Sequence, residues 1–341
     1  MSVKRIIWLS VSLIILLLVV FNIELIGYGI AQARGQIEII VNAEPVEAYL
    51  DDPNTPDSLK QKLLLVQKIR AFAMNELSLK NSKNYTTLYD QKGKELMFVV
   101  SASPPFELKP YKWHFPIIGS FSYKGFFDKE KAYKLFSELE EQGYDARVRT
   151  AGGWSTLGIL RDPILSNMLK RDEGRLADLI IHELTHATVF VKDSLKFNEN
   201  LATFIGQKGA IAFLEHSYGK NSPELKKYRS YLQDKQLRTN FMLKAANRLD
   251  SLYQTFGKEA LYSEKKSGKE MLIDSIVRDY SKVPFINERY KAVFANSRPN
   301  NAYFLSYRRY NSHQEILEEL YQIEFQRDIK KFIAFFKDKY G

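Results

Sequence analysis

Two histidines four residues apart, His182 and His186, lie in the stretch RLADLIIHELTHATVF at 175–190, and Glu183 directly follows the first. Leu176, Leu179, Ile180, Leu184, Ala187 and Val189 make this stretch largely apolar, so it reads as a helix buried in the middle of a domain. On a helix, positions i and i+4 share one face, a turn apart. Both imidazoles therefore leave the helix on the same side, and whatever packs there must accommodate them. The chain of 341 residues has five histidines and no cysteine. Disulfides and thiolate nucleophiles are thereby excluded, and any metal site must be built from His, Asp or Glu.

A helical His pair of this spacing can bind one zinc ion through its ring nitrogens at ~2.0–2.1 Å. Glu183, next to the first histidine, is placed to reach a water on the metal without ligating, which is the position of a general base. Three fixed positions in a pentapeptide also arise by chance, so a third ligand is what matters. Glu199 supplies a candidate, in FNENLATFIG at 197–206, where a second helical pattern begins. The intervening VKDSLKF at 191–197 reads as the turn of an antiparallel helix pair. Glu215 and His216, later on the same pattern, are weaker rivals.

Around this core the pattern changes twice. Residues 27–50 read as helix with a break at Pro45, and a second helix runs from a cap at Asp57 or Ser58 to about Leu79. ELMFVVSAS at 95–103 reads as a buried strand, WHFPIIGSFSYKGFF at 113–127 as bent strands or a hairpin, and DARVRT at 145–150 as an alternating strand. Between the last two, residues 128–144 form an amphipathic helix closed by Gly143, and GGWSTLGIL at 152–160 reads as a further strand. After Asp162-Pro163 the chain is helical almost to its end. The expected fold is α+β and predominantly helical. A mixed sheet at about 90–162 leads into a helical part at about 163–341, both within one domain of residues 32–341.

Taken together, these pieces resemble the bacterial "predicted aminopeptidase" family of gluzincin-type metallopeptidases. The resemblance rests on QARGQ at 32–36, WHFPIIGSFSYKGFF at 113–127, STLGILRDPIL at 155–165, HELTH at 182–186, FNENLATFIG at 197–206 and NNAYFLSYRRY at 300–310, in the family's order. It implies a zincin-like catalytic core holding one zinc ion on His182, His186 and Glu199, a peptide substrate, and Glu183 as general base. Two departures stand out. Many members carry a lipid-attachment cysteine before the QA-x-GQ segment, and this chain has none. Thermolysin-like gluzincins place an Asp four residues after the ligand glutamate to support a histidine, where this chain has Thr203.

Further roles are expected around that centre. Tyr303, Tyr307, Tyr310 and His313 could donate to the oxyanion, with Tyr307 and Tyr310 preferred. The edge strand GGWSTLG, notably Ser155, Thr156, Leu157 and Gly158, is placed to pair with substrate backbone. Glu173 and Asp178 are the nearby carboxylates that could meet a free ammonium, as an aminopeptidase requires. Trp113, His114 and Trp154 read as packing residues. Two other readings are carried: a membrane-anchored metal-binding scaffold without turnover, and a zinc amidase acting on cell-wall material.

The net charge of +10 is spread in short pieces with no long basic run, so no nucleic-acid partner is expected. Lys4 and Arg5 precede an apolar run at 6–21, and apolar residues resume to Ile30. Residues 1–31 are therefore expected to be a signal anchor that keeps the domain attached to a membrane on its extracytoplasmic side. Cleavage at Ala31-Gln32-Ala33 is the alternative, disfavoured because the site lies far past the apolar run.

Overall fold

A computed structural model describes residues 4, 5, 8, 23–115, 119–150, 161–192, 194–295, 297–311 and 314–341. The first long element is helix α1, Ile23–Val41. A two-residue strand β1, Glu44–Pro45, interrupts the helical pattern where Pro45 was expected to break it, and α2, Val46–Asp51, follows. Helix α3, Asp57–Asn75, takes Pro56 rather than Asp57 or Ser58 as its cap, and it ends before Leu79, with Ser78 at φ 60°. Proline needs no amide at a helix start, so it displaces the side-chain cap the sequence offered.

Among the described residues eight short strands form three sheets. β2, Thr87–Tyr89, lies between β1 and the parallel β8, Ile164–Leu165. β3, Phe98–Ser103, is flanked antiparallel by β6, Lys124–Phe126, and β7, Asp145–Thr150. β4, Trp113–Phe115, and β5, Gly119–Phe121, make a hairpin. Between β6 and β7 runs α4, Lys129–Glu141, capped by Asp128 Oδ1 at 2.8 Å from the Glu130 amide. Its buried Ala132 and Leu139 pack on Val100 and Ala102 of the sheet.

The rest is helical. After β8, α5, Glu173–His186, and α6, Leu195–Tyr218, form an antiparallel pair. The long α7, Pro223–Thr255, and α8, Tyr262–Tyr280, follow. α9, Asn301–Asn311, α10, Gln314–Ile323, and α11, Ile329–Tyr340, complete the chain. The main core joins α3, α5 and α6 through Val66, Ile69, Leu176, Ile180, Ile205 and Phe213, and α11 closes it with Phe332 and Ile333. A second cluster holds α7, α8 and α9 together around Met242, Leu249, Ile276 and Phe304.

The expected membrane anchor requires correction. Among the described residues no helix is long and apolar enough to cross a membrane. Residues 23–31, needed to bring the apolar run to span length, belong instead to α1, which carries Glu24, Arg34 and Glu38. The run at 6–21 alone falls short of the about 20 residues a bilayer core requires. Tyr28 faces the protein: its hydroxyl donates to Gly125 O at 2.9 Å, and its ring meets Phe126 edge-on at 5.6 Å. The membrane-anchored, extracytoplasmic placement built on residues 1–31 is therefore withdrawn.

Two close approaches position the helices. A Cβ at Gly206 of α6 would fall 2.7 Å from Asp178 Oδ1 and 2.9 Å from Asp178 O of α5, and one at Gly209 would fall 2.9 Å from Ile181. A Cβ at Gly174 of α5 would fall 2.5 Å from the Tyr228 side chain of α7. Small residues thus let both neighbours settle against α5 at short range. Gly206→Ala forces a methyl group against backbone and should destabilise the protein by about 1–3 kcal/mol. The midpoint of denaturant unfolding measures this, and a midpoint equal to that of the parent would contradict so close a packing.

Candidate metal centre

Helix α5 begins where Asp172 Oδ1 accepts from the Arg175 amide at 3.0 Å. This cap fixes where the helix starts, and so the phase at which residues 182, 183 and 186 emerge. At the other end Thr185 and Thr188 donate to the carbonyls of Ile181 and Leu184, at 2.8 and 2.7 Å. His186 lies in that last turn, where the helix dipole favours positive charge.

The chain returns as α6 after a short connection held by one side chain. Asn198 Oδ1 accepts from the Val191 amide at 2.9 Å, and Asn198 Nδ2 donates to Val191 O at 2.8 Å. On the other side of Glu199, Gln314 Nε2 donates to Asn200 O at 2.9 Å. Glu199 is thereby delivered opposite the two histidines. His182 Nε2 and His186 Nε2 lie 3.2 Å apart, and Glu199 Oε2 lies 3.7 and 3.9 Å from them. One ligand atom from each residue fits within 4.8 Å of the others. Ligands about 2.1 Å from a common tetrahedral centre stand ~3.4 Å apart, so the three residues can hold a metal ion. Glu215 and His216 are occupied elsewhere. Glu215 pairs with Arg229 at 2.9 Å, and His216 packs on Phe72.

Thr203 lines the cleft beside the metal cluster, and the Nδ1 of His186 is buried with no hydrogen-bond partner among the described residues. Burial dominates the electrostatics. Desolvation pushes the Glu183 carboxyl up to about 7. His182 opposes the shift, Glu199 and Asp162 add to it, and Arg171 opposes it. Desolvation, with help from His182, lowers His186 to about 4, so its ring is neutral and able to ligate near neutral pH. Desolvation also works against the His182 imidazolium, but the hydrogen bond to Glu199 and the charges of Glu183, Glu199 and Asp178 outweigh it and raise its pKa.

His182 and Glu183 open onto a cleft of about 470 Å³ whose walls include Arg171, Arg175, Asp178, Tyr231 and Lys235. Of the two carboxylates weighed for a free ammonium, Asp178 lines this cleft, whereas Glu173 is paired with Lys62 at 3.2 Å. Tyr307 lines a neighbouring cavity, and its hydroxyl meets that of Tyr303 at 3.2 Å. The Tyr310 side chain, His313, Trp154 and Ser155, Thr156, Leu157 and Gly158 lie outside the described residues. Trp113 packs on Tyr111 as expected, whereas His114, also expected to pack, is exposed and bonds Ser120 Oγ at 2.6 Å. Sequence reasoning missed Tyr231 and Lys235, whose i, i+4 spacing on α7 was the available signal, and the clamping role of Asn198.

Comparison with known proteins gives one family. A model described as "Putative aminopeptidase" matches residues 27–338. No curated protein and no solved structure matches the chain.

The ligand geometry has a direct consequence. His182→Ala, His186→Ala and Glu199→Ala should each abolish stoichiometric metal binding. Asn198→Ala, which only frees the connection, should weaken affinity by about 10–100-fold. Elemental analysis after dialysis against a weak chelator measures both, and full retention in Glu199→Ala would remove that residue from the centre.

Proposed function

The chain belongs to the family described as "Putative aminopeptidase", and from that premise we propose that it is a zinc-dependent peptidase. The observation that carries the proposal is the convergence of His182, His186 and Glu199, with buried Glu183 beside them on the same cleft. Two imidazole nitrogens and a carboxylate oxygen suit zinc, and a catalytic zinc site keeps one position open. When bound, the metal supplies Lewis acidity, which acidifies water and polarises a carbonyl.

The remaining work falls to the protein. Glu183 takes a proton from the attacking water and hands it to the leaving amine. Its elevated pKa, near 7, suits a group that must both accept and release a proton near neutrality. Its burial keeps bulk water from competing for that proton. A donor to the developing oxyanion is proposed at the junction of the two cavities, from Tyr231 on the cleft wall or Tyr307 beyond it. Asp178 is the carboxylate available to an N-terminal ammonium in the aminopeptidase form of the proposal, although Lys235 already stands 3.9 Å from it. Residues 155–158 keep their proposed role in pairing with the substrate backbone.

The test separates chemistry from metal binding. Glu183→Gln keeps the size of the side chain and removes the base. It should retain metal and fold while hydrolysis of a degenerate peptide pool falls by about 10²–10⁴-fold. Turnover and metal content are measured on the same preparation. Wild-type turnover in the metal-loaded variant would defeat the mechanism.

A further inference from the structure

Tyr231 and Lys235 form a shared wall. On one side is the metal cleft, and on the other is a second cavity of about 350 Å³, also lined by Arg147, Arg149, Arg238 and Tyr307. Its cations come from two periodicities. Arg147 and Arg149 alternate onto one face of β7, and Tyr231, Lys235 and Arg238 follow i, i+4, i+7 along α7. Among the described residues no carboxylate lines this cavity.

The expected neutralisers are committed elsewhere. Asp145 shares the β7 face, but it holds Lys269 Nζ at 2.6 Å and the Asn301 amide at 2.8 Å. Asp178 approaches Lys235 alone, at 3.9 Å. Among the described residues Arg147, Arg149 and Arg238 make no ion pair. Residues 151–160, which follow Arg149, contain no acid, and Asp193 is the one acidic residue outside the described set. Two of the three guanidinium groups are held by neutral contacts instead. Arg147 lies over the Tyr303 ring at 4.5 Å, and Arg238 donates to Tyr303 Oη at 2.9 Å. The Nε of Arg238 is buried with no hydrogen-bond partner among the described residues. Desolvation lowers the pKa of Arg147; Tyr303 and Tyr307 oppose the shift, and the charges of Arg149 and Arg238 add to it. Half-buried cations that are fixed in place but not neutralised are costly, unless an anion completes them.

We propose that this cavity is the carboxylate subsite of the peptide-binding cleft, receiving the C-terminal carboxylate or an acidic side chain of a peptide that lies across His182 and Glu183. The inference rests on the peptidase reading of the neighbouring cleft. Arginine forks match a carboxylate through paired hydrogen bonds, and the volume admits one side chain or chain end.

Three degenerate tetrapeptide pools decide the matter. The first has no acidic residue and a free C-terminal carboxylate, the second is the same pool as C-terminal amides, and the third is amidated with Glu fixed at the last position. Retention by the metal-loaded wild type is measured by equilibrium dialysis with mass spectrometry, and hydrolysis is followed in parallel. The free-acid pool, the Glu pool or both should be retained about tenfold or more over the plain amide, as expected for charge-assisted bonding. Preference for the first pool identifies a terminal carboxylate, and preference for the third an acidic side chain. Arg149→Gln and Arg238→Gln should remove the advantage. Arg238→Gln also takes a donor from Tyr303 and puts folding at risk, so Arg149→Gln is the deciding variant. Equal retention of all three pools overturns the subsite, even where hydrolysis proceeds and the peptidase reading stands. Selective retention of acidic pools without hydrolysis of any pool supports the subsite and sinks the peptidase reading.

Discussion

The short distance between α5 and α6 is the constraint on which the centre depends. Three polar groups must meet within 4.8 Å inside an otherwise apolar helix pair, and the helices can come that close because Gly206 and Gly209 present no side chain to Asp178 and Ile181. A larger residue at either position would open the gap that Glu199 has to cross. The apolar partners Ile180, Leu184, Leu201 and Ile205 hold the pair shut, and their burial offsets the desolvation of the ligand groups. The candidate metal centre is thus a by-product of helix packing as much as of ligand chemistry.

The same helix organises the second half of the site. α7 rests on α5 where Gly174 admits the Tyr228 ring, and three residues further along α7 Tyr231 emerges on the cleft wall. β7 supplies the opposite wall of the cationic cavity. Among the described residues the walls of the two cavities therefore come mainly from β7 and from four helices, α5, α6, α7 and α9. Such preorganisation spares the protein from ordering these groups when a ligand arrives.

How much of this was readable follows from the reach of each signal. The His182–His186 face and Glu183 follow from helical periodicity alone, because a buried helix leaves no other phase. Glu199 was legible, ahead of Glu215 and His216, once the turn at 191–197 was recognised, and those two are engaged elsewhere, with Arg229 and Phe72. The strands at 98–103, 113–115 and 145–150 followed their apolar patterns. The start of α1 did not. Hydropathy records that residues 23–30 are apolar, not whether they meet lipid or a sheet, and Tyr28 meets the sheet. The cations of α7 escaped notice because on a 33-residue helix they resemble a solvated face, and only the arrival of β7 turns them inward.

Gly125 holds two donors from α1, the Tyr28 hydroxyl and Gln32 Nε2. It is also the register partner of Val99, and Val99 is the register partner of Arg149. One transverse row of the sheet thus joins the seat of α1 to the rim of the cationic cavity. Successive side chains of a strand stand on opposite faces, so the register of β3 against its two neighbours sets both where the first long helix is seated and on which face Arg149 stands.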